Sequence, residues 1–154
     1  MSAVASDAAP ILREMRESDL RSVLVIENIV YDFPWSKNIF RDCLKNGYVC
    51  RTYEQDTQIL GYGIMSVGIG ECHLLNICIR PQSQSNGLGT NLVLQLVEVA
   101  RQRRAQIAFL EVRKSNDAAQ RVYSRLGFNE IGVRSDYYPA RRGREDAVIL
   151  AKGL

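Results

Sequence analysis

The chain has 154 residues, 46% of them apolar and 24% charged, with 20 basic against 17 acidic side chains. That size suits one domain able to bury roughly 68–70% of its unfolded surface, and the composition excludes a disordered, collagen-like or low-complexity chain. A net charge of +3 is too small to argue for a nucleic-acid surface, and no apolar run approaches the ~18 residues of a membrane span.

In chain order, the first ten residues lack the basic start and long apolar stretch of a signal peptide. Residues 1–9 are expected to be a flexible lead-in to a single domain covering 10–154. Ile11–Met15 reads as a strand and Ser18–Tyr31 as a helix, with Leu20, Val23, Leu24 and Glu27 at helical spacing. Pro34 breaks the pattern, and Ser36 caps a second helix that runs to Lys45 and ends at Asn46-Gly47. Tyr48–Tyr53, Ile59–Val67 and Cys72–Arg80 read as strands. A loop after Pro81 leads to a long helix over Gly87–Arg104, apolar along Leu92, Val93, Leu96, Val97 and Ala100. Ile107–Val112 is nearly all apolar, as in a strand buried on both faces. A helix from Ser115 or Asn116 to Gly127 follows, then strands over Phe128–Val133 and Ala147–Ala151. The whole is a mixed α/β domain with a β–α–β–α–β run at its centre. Arg134, Arg141, Arg142 and Arg144 are expected on a solvated loop near its end.

Three features carry candidate chemistry. The loop Gln84-Ser85-Asn86-Gly87-Leu88-Gly89 lies between a strand and a helix, where glycines and unbonded helix N–H groups can hold a phosphate. It matches neither the dinucleotide fingerprint nor the Walker loop. Glu111 is a carboxylate in an apolar strand, near the strand end where open α/β sheets collect ligands; the alternative is a strand-end acid paired with Arg113 or another neighbour. Asn116 and Tyr123 lie two helical turns apart on one side of a helix; for Tyr123, core packing is the usual fate. His73, the single histidine, shares a strand face with Glu71 and reads as a hydrogen-bonded strand residue. Asn76 reads as a satisfied buried amide. Cys43, Cys50, Cys72 and Cys78 form no C-x-x-C, so no metal site is expected. They act as small hydrophobes in a reducing, cytoplasmic setting.

Together these residues resemble the GNAT acetyltransferase superfamily, whose Q/R-x-x-G-x-G/A signature matches Gln84, Gly87 and Gly89. Phe33-Pro34-Trp35-Ser36, Leu75-Asn76-Ile77, Leu110-Glu111-Val112-Arg113, Ser115-Asn116, Leu126-Gly127-Phe128-Asn129-Glu130, Tyr137-Tyr138-Pro139 and Gly143-Arg144-Glu145-Asp146-Ala147 extend the similarity over nearly the whole chain. They resemble the branch that acetylates the N-terminal alanine of a small-subunit ribosomal protein. The resemblance implies a mixed, mostly antiparallel seven-stranded sheet, splayed at its centre and flanked by about four helices, with acetyl-CoA in the opening. It makes Glu111 the general base and Tyr123 the general acid. Ile77, Cys78 and Ile79, the loop Gln84, Ser85, Asn86, Gly87, Leu88, Gly89 and Thr90, and Asn116 become cofactor contacts. Phe33, Trp35, Tyr137 and Tyr138 become walls of a peptide channel. Ser85 and Asn86 stand where related loops commonly carry basic or amide side chains, which implies weaker phosphate binding.

The chemistry suits an N-terminal amine. At neutral pH, deprotonating an α-amine costs about 1.4 kcal/mol, against about 4–5 kcal/mol for lysine. A strand N–H near Cys78 is placed for the oxyanion. Cys78 has no histidine to activate it as a nucleophile, so transfer is expected to be direct. The expected enzyme is a monomer acting on a ribosomal-protein N-terminus, with no nucleic-acid or membrane partner. The alternatives are acetylation of a lysine or a small amine, and a non-catalytic CoA-binding module.

Overall fold

The computed structural model describes residues 8–154; most of the expected 1–9 lead-in lies outside the described residues. The strands are β1 (Ile11–Glu14), β2 (Val49–Gln55), β3 (Gln58–Gly68), β4 (Glu71–Ile79), β5 (Ile107–Arg113), β6 (Asn129–Pro139) and β7 (Arg144–Gly153). The helices are α1 (Leu20–Val30), α2 (Lys37–Lys45), α3 (Leu88–Gln102) and α4 (Asp117–Arg125). Ser36 Oγ accepts from Ile39 N at 3.4 Å to cap α2, as its position predicts. One seven-stranded sheet runs β1-β2-β3-β4-β5-β7-β6. Every neighbouring pair is antiparallel except β4 and β5.

The parallel β4–β5 ladder is short. It runs from Glu71↔Ile107 to Leu74↔Leu110, and the remaining residues of both strands are unpaired with each other. The sheet therefore opens in its middle. A bulge on β4 accompanies the opening, because Met65 opposes Leu74 and Ile64 opposes Asn76, leaving Leu75 as the extra residue. Side chains two apart on a strand normally share a face. Across this bulge they do not: Cys72 and Leu74 join the core under α3, and Cys78 joins the core under α1 and α2.

Burial follows the predicted patterns. Leu92, Val93, Leu96, Val97 and Ala100 of α3 are buried against Ala108, Leu110 and Val112 of β5 and their neighbours. Leu20, Val23 and Ile26 of α1 pack with Phe40, Cys43, Tyr62 and Ile64 on the other face. Gly63 of β3 lets α3 settle on the sheet, since a Cβ there would stand 2.4 Å from Leu96 Cδ1. Gly63→Ala is expected to cost about 1–3 kcal/mol of stability through overpacking, measured as a lowered urea midpoint at unchanged slope.

One expectation is corrected. The arginine-rich segment is only partly a loop: Arg134 and Arg144 lie in β6 and β7, which pair as a hairpin with Tyr138 opposite Glu145 and Pro139 opposite Arg144, while Arg141 and Arg142 are exposed in the turn that joins the strands. A wide bulge hides this in the sequence. Ser135, Asp136 and Tyr137 together oppose Asp146, Asp136 takes φ +52°, and its N–H donates to Asp146 Oδ1 at 2.9 Å. Alternation is lost at the place where it would have announced a strand.

Candidate active site

The opening between β4 and β5 gathers most of the predicted chemistry. Glu111 is the first β5 residue beyond the last β4–β5 pair, and its side chain is 8% exposed. Arg113 does not pair with it. That guanidinium is engaged by Glu145 at 3.0 Å and the Pro139 carbonyl at 2.9 Å, and it lies 4.5 Å from the Tyr138 ring centroid and 5.6 Å from that of Phe33. Glu111 instead meets His73 Nε2 through one carboxylate oxygen and Arg134 Nε, at 3.3 Å, through the other. His73 is thus the partly exposed, hydrogen-bonded strand residue the sequence suggests, with Glu111 of the neighbouring strand as its partner. Burial pushes the Glu111 carboxyl up, but the hydrogen bonds and charges of His73 and Arg134 outweigh it, and the group ends below its ordinary value.

The β4 edge of the opening is polar backbone. The Ile77 carbonyl accepts from Tyr31 Oη at 2.9 Å, and the Ile79 carbonyl accepts from Gln84 Nε2 at 2.9 Å, so both turn away from β3. A strand residue's N–H and C=O point the same way. The N–H groups of Ile77 and Ile79 therefore border the opening. The Cys78 carbonyl lies against Gly61 in β3, so the strand N–H groups near Cys78 that border the opening are those of its two neighbours. Cys78 itself is buried, and burial raises its thiol to about 11.

At the top of the opening, Gly87 adopts φ +76° as the residue preceding α3, and Ser85 adopts φ +69°. The first helical bond runs from Asn91 N to the Gly87 carbonyl, so the amides of Leu88, Gly89 and Thr90 precede the ladder. Asn86 lies in the same loop, immediately before Gly87. Asn116 caps α4 by accepting from Ala119 N at 3.1 Å, a structural duty for a residue expected to touch cofactor. Tyr123 is half-buried, packed edge-on against Phe128 at 5.5 Å. Burial pushes its hydroxyl up to about 12. It lies near enough to Tyr31 and Tyr138 to help raise both of them, after the larger effect of burial.

The predicted channel residues divide. Phe33 and Tyr138 flank the Arg113 guanidinium, and Tyr137 stands edge-on to Tyr138 at 4.9 Å. Trp35 is set deeper, with its ring 5.3 Å from Phe40. Its N–H donates to Glu27 Oε2 at 2.9 Å. Glu27 is the residue the sequence underrates. It is 1% exposed and also accepts from Tyr62 Oη at 2.8 Å and Asn76 Nδ2 at 2.9 Å, tying the Phe33–Trp35 turn to β3 and β4. An acid on the buried stripe of α1 was the available signal. Asn76 Oδ1 is buried without a hydrogen-bond partner, so the amide is only half satisfied. Among the described residues, no group of three or more His, Cys, Asp and Glu side chains could hold a metal ion, and no helix is long and apolar enough to cross a membrane.

The comparisons agree with this geometry. The model of the acetyltransferase (GNAT) family matches residues 11–128. The [ribosomal protein bS18]-alanine N-acetyltransferase of Escherichia coli (strain K12) is 36% identical over 140 residues, covering 91% of this chain and 95% of that protein. The crystal structure of the Escherichia coli ribosomal-protein-S18-alanine N-acetyltransferase superposes with a TM-score of 0.88 at 34% identity, covering 94% of each chain. A Salmonella typhimurium structure with its cofactor acetyl-CoA shares the fold, with a TM-score of 0.79 at 16% identity, covering 96% of this chain and 95% of that one. A seven-stranded sheet opened between β4 and β5, a left-handed glycine before α3 and a family match across three-quarters of its length place this chain in the GNAT family of acetyltransferases.

Proposed function

We propose that this enzyme acetylates the α-amine of the N-terminal alanine of ribosomal protein bS18 by direct transfer from acetyl-CoA, in the cytoplasm. The similarity to bS18-alanine N-acetyltransferases over 91% of the chain carries the reading, and the placement of Glu111 at the opening supports it. The site fits the cofactor. A Cβ at Gly89 would meet nothing nearer than Ile79 at 3.8 Å, so the fold does not itself require that glycine. Its absence leaves bare backbone beside the unbonded amides of Leu88, Gly89 and Thr90, which suits a pyrophosphate. Gln84, Ser85, Asn86, Gly87 and Asn116 complete this part of the binding site, with backbone from Ile77 through Ile79 along the pantetheine. Acetyl-CoA supplies the thioester carbonyl and the thiolate leaving group.

Glu111 accepts the proton that the α-amine loses as the N–C bond forms. A carboxylate held below its ordinary value is a modest base, adequate for an α-amine and poorly matched to lysine. The N–H groups of Ile77 and Ile79 face the charge that develops on the carbonyl oxygen. Tyr123 gives its hydroxyl proton to the sulfur as the C–S bond breaks, and solvent returns a proton to Tyr123 as Glu111 releases one. Phe33, Trp35, Tyr137 and Tyr138 line the approach of the peptide. Arg144 of the β6–β7 hairpin serves structure, since it donates to the Asp136 and Tyr137 carbonyls at 2.7 and 2.9 Å.

The deciding experiment offers acetyl-CoA with a panel of acceptors: the bS18 N-terminal peptide, the same peptide with a blocked α-amine and an internal lysine, and small polyamines. Mass spectrometry is expected to find a single acetyl group on the α-amine of the first peptide. Preferential modification of lysine or polyamine would replace this reading, and CoA release with no acceptor modified would favour a binding module.

A further inference from the structure

His73 is the only histidine in the chain, and it meets the carboxylate on which the proposed chemistry depends. The two residues lie on adjacent parallel strands. His73 sits within the paired part of β4, opposite Phe109, and Glu111 lies just beyond that pairing on β5. The imidazole is 34% exposed and the carboxylate 8%, so the histidine is the partner in contact with solvent. The other charged partner of Glu111 is Arg134 of β6, whose side chain is 55% exposed. Tyr138 of β6 also feels the Glu111 charge. Glu71 stands two residues before His73 on its own strand, and β3 presents uncharged Ser66 opposite it.

We propose that His73 is a positioning residue for Glu111: its ring N–H holds the carboxylate toward the opening. The inference rests on the reading of Glu111 as base. A hydrogen bond donated through Nε2 fixes one carboxylate oxygen while Arg134 engages the other, so the carboxylate is held in one orientation and remains able to take a proton.

Three variants test this with the full-length enzyme, acetyl-CoA and an alanine-initiated peptide. His73→Phe, which fills the space without a donor, is expected to lose at least tenfold in kcat with acetyl-CoA affinity unchanged. His73→Gln, which restores a donor, is expected to recover most of that loss. Wild-type turnover in His73→Phe, or no recovery in His73→Gln, would each overturn the proposal. Matching thermal melts keep a folding defect from counting as a positive result. Glu111→Gln separates the two levels of the argument. Full activity in that variant removes the base and this inference with it, and loss there with normal activity in His73→Phe removes the inference alone.

Discussion

Glu111→Gln is expected to lower kcat on an alanine-initiated peptide by about 10²-fold, while acetyl-CoA binds with unchanged affinity. General-base catalysis contributes about 10²–10⁴-fold. The lower end applies because an α-amine is already partly neutral near pH 7 and asks for only about 1.4 kcal/mol. The amide nearly matches the carboxylate in size and keeps an oxygen for one of its two partners, His73 or Arg134, so the main property lost is basicity. Raising the pH should narrow the gap between variant and wild type, because the amine then arrives deprotonated. Single-turnover kinetics between pH 6.5 and 9, with calorimetric titration of acetyl-CoA, measure both quantities. A gap that does not close at high pH would mean that Glu111 acts through its charge or its place in the structure.

Tyr123→Phe is the second large effect, also about 10²-fold in kcat. Burial pushes this hydroxyl up to about 12, so it remains protonated across the working range and always has a proton to give. The sign matters for the pH profile. A phenol raised from 10 toward 12 should produce no alkaline loss of activity below pH 10, whereas one at its ordinary value would begin to fail there. The edge-on contact with Phe128 survives the substitution, so stability should change by less than about 1 kcal/mol. Equal losses in stability and rate would return Tyr123 to a packing role. A leaving group of lower thiol pKa than CoA should recover much of the loss, because it needs less help to depart.

Much of the fold was legible because local chemistry and global position agree. Ser36 caps α2 where the sequence says it should, and α3 carries its apolar stripe to the core. The glycine loop was legible as turn chemistry, since Gly87 occupies the left-handed region. Glu111 was legible as an acid in an apolar strand, but its partners were not. His73 lies 38 residues away, and their meeting depends on a parallel register set by the length of the α3 crossover. No periodicity encodes that register. The continuation of β6 past Val133 and the start of β7 before Ala147 were missed for a different reason, because three bulged residues face one and erase the alternation by which strands are read. Glu27 was visible as a helical position and hidden as a hub, for its three partners come from β3, β4 and the turn after α1.

The buried cysteines have a consequence for an enzyme whose product is itself a thiol. All four are free and buried, and burial holds Cys50, Cys72 and Cys78 at about 11 and raises Cys43 as well. Mixed disulfides form by attack of a thiolate, and these groups supply almost none at neutral pH. Free CoA, or its disulfide, therefore finds no handle on the folded protein. The enzyme can work in a pool of its own product without being captured by it, and a chromogenic disulfide reagent added to the native reaction should report released CoA alone.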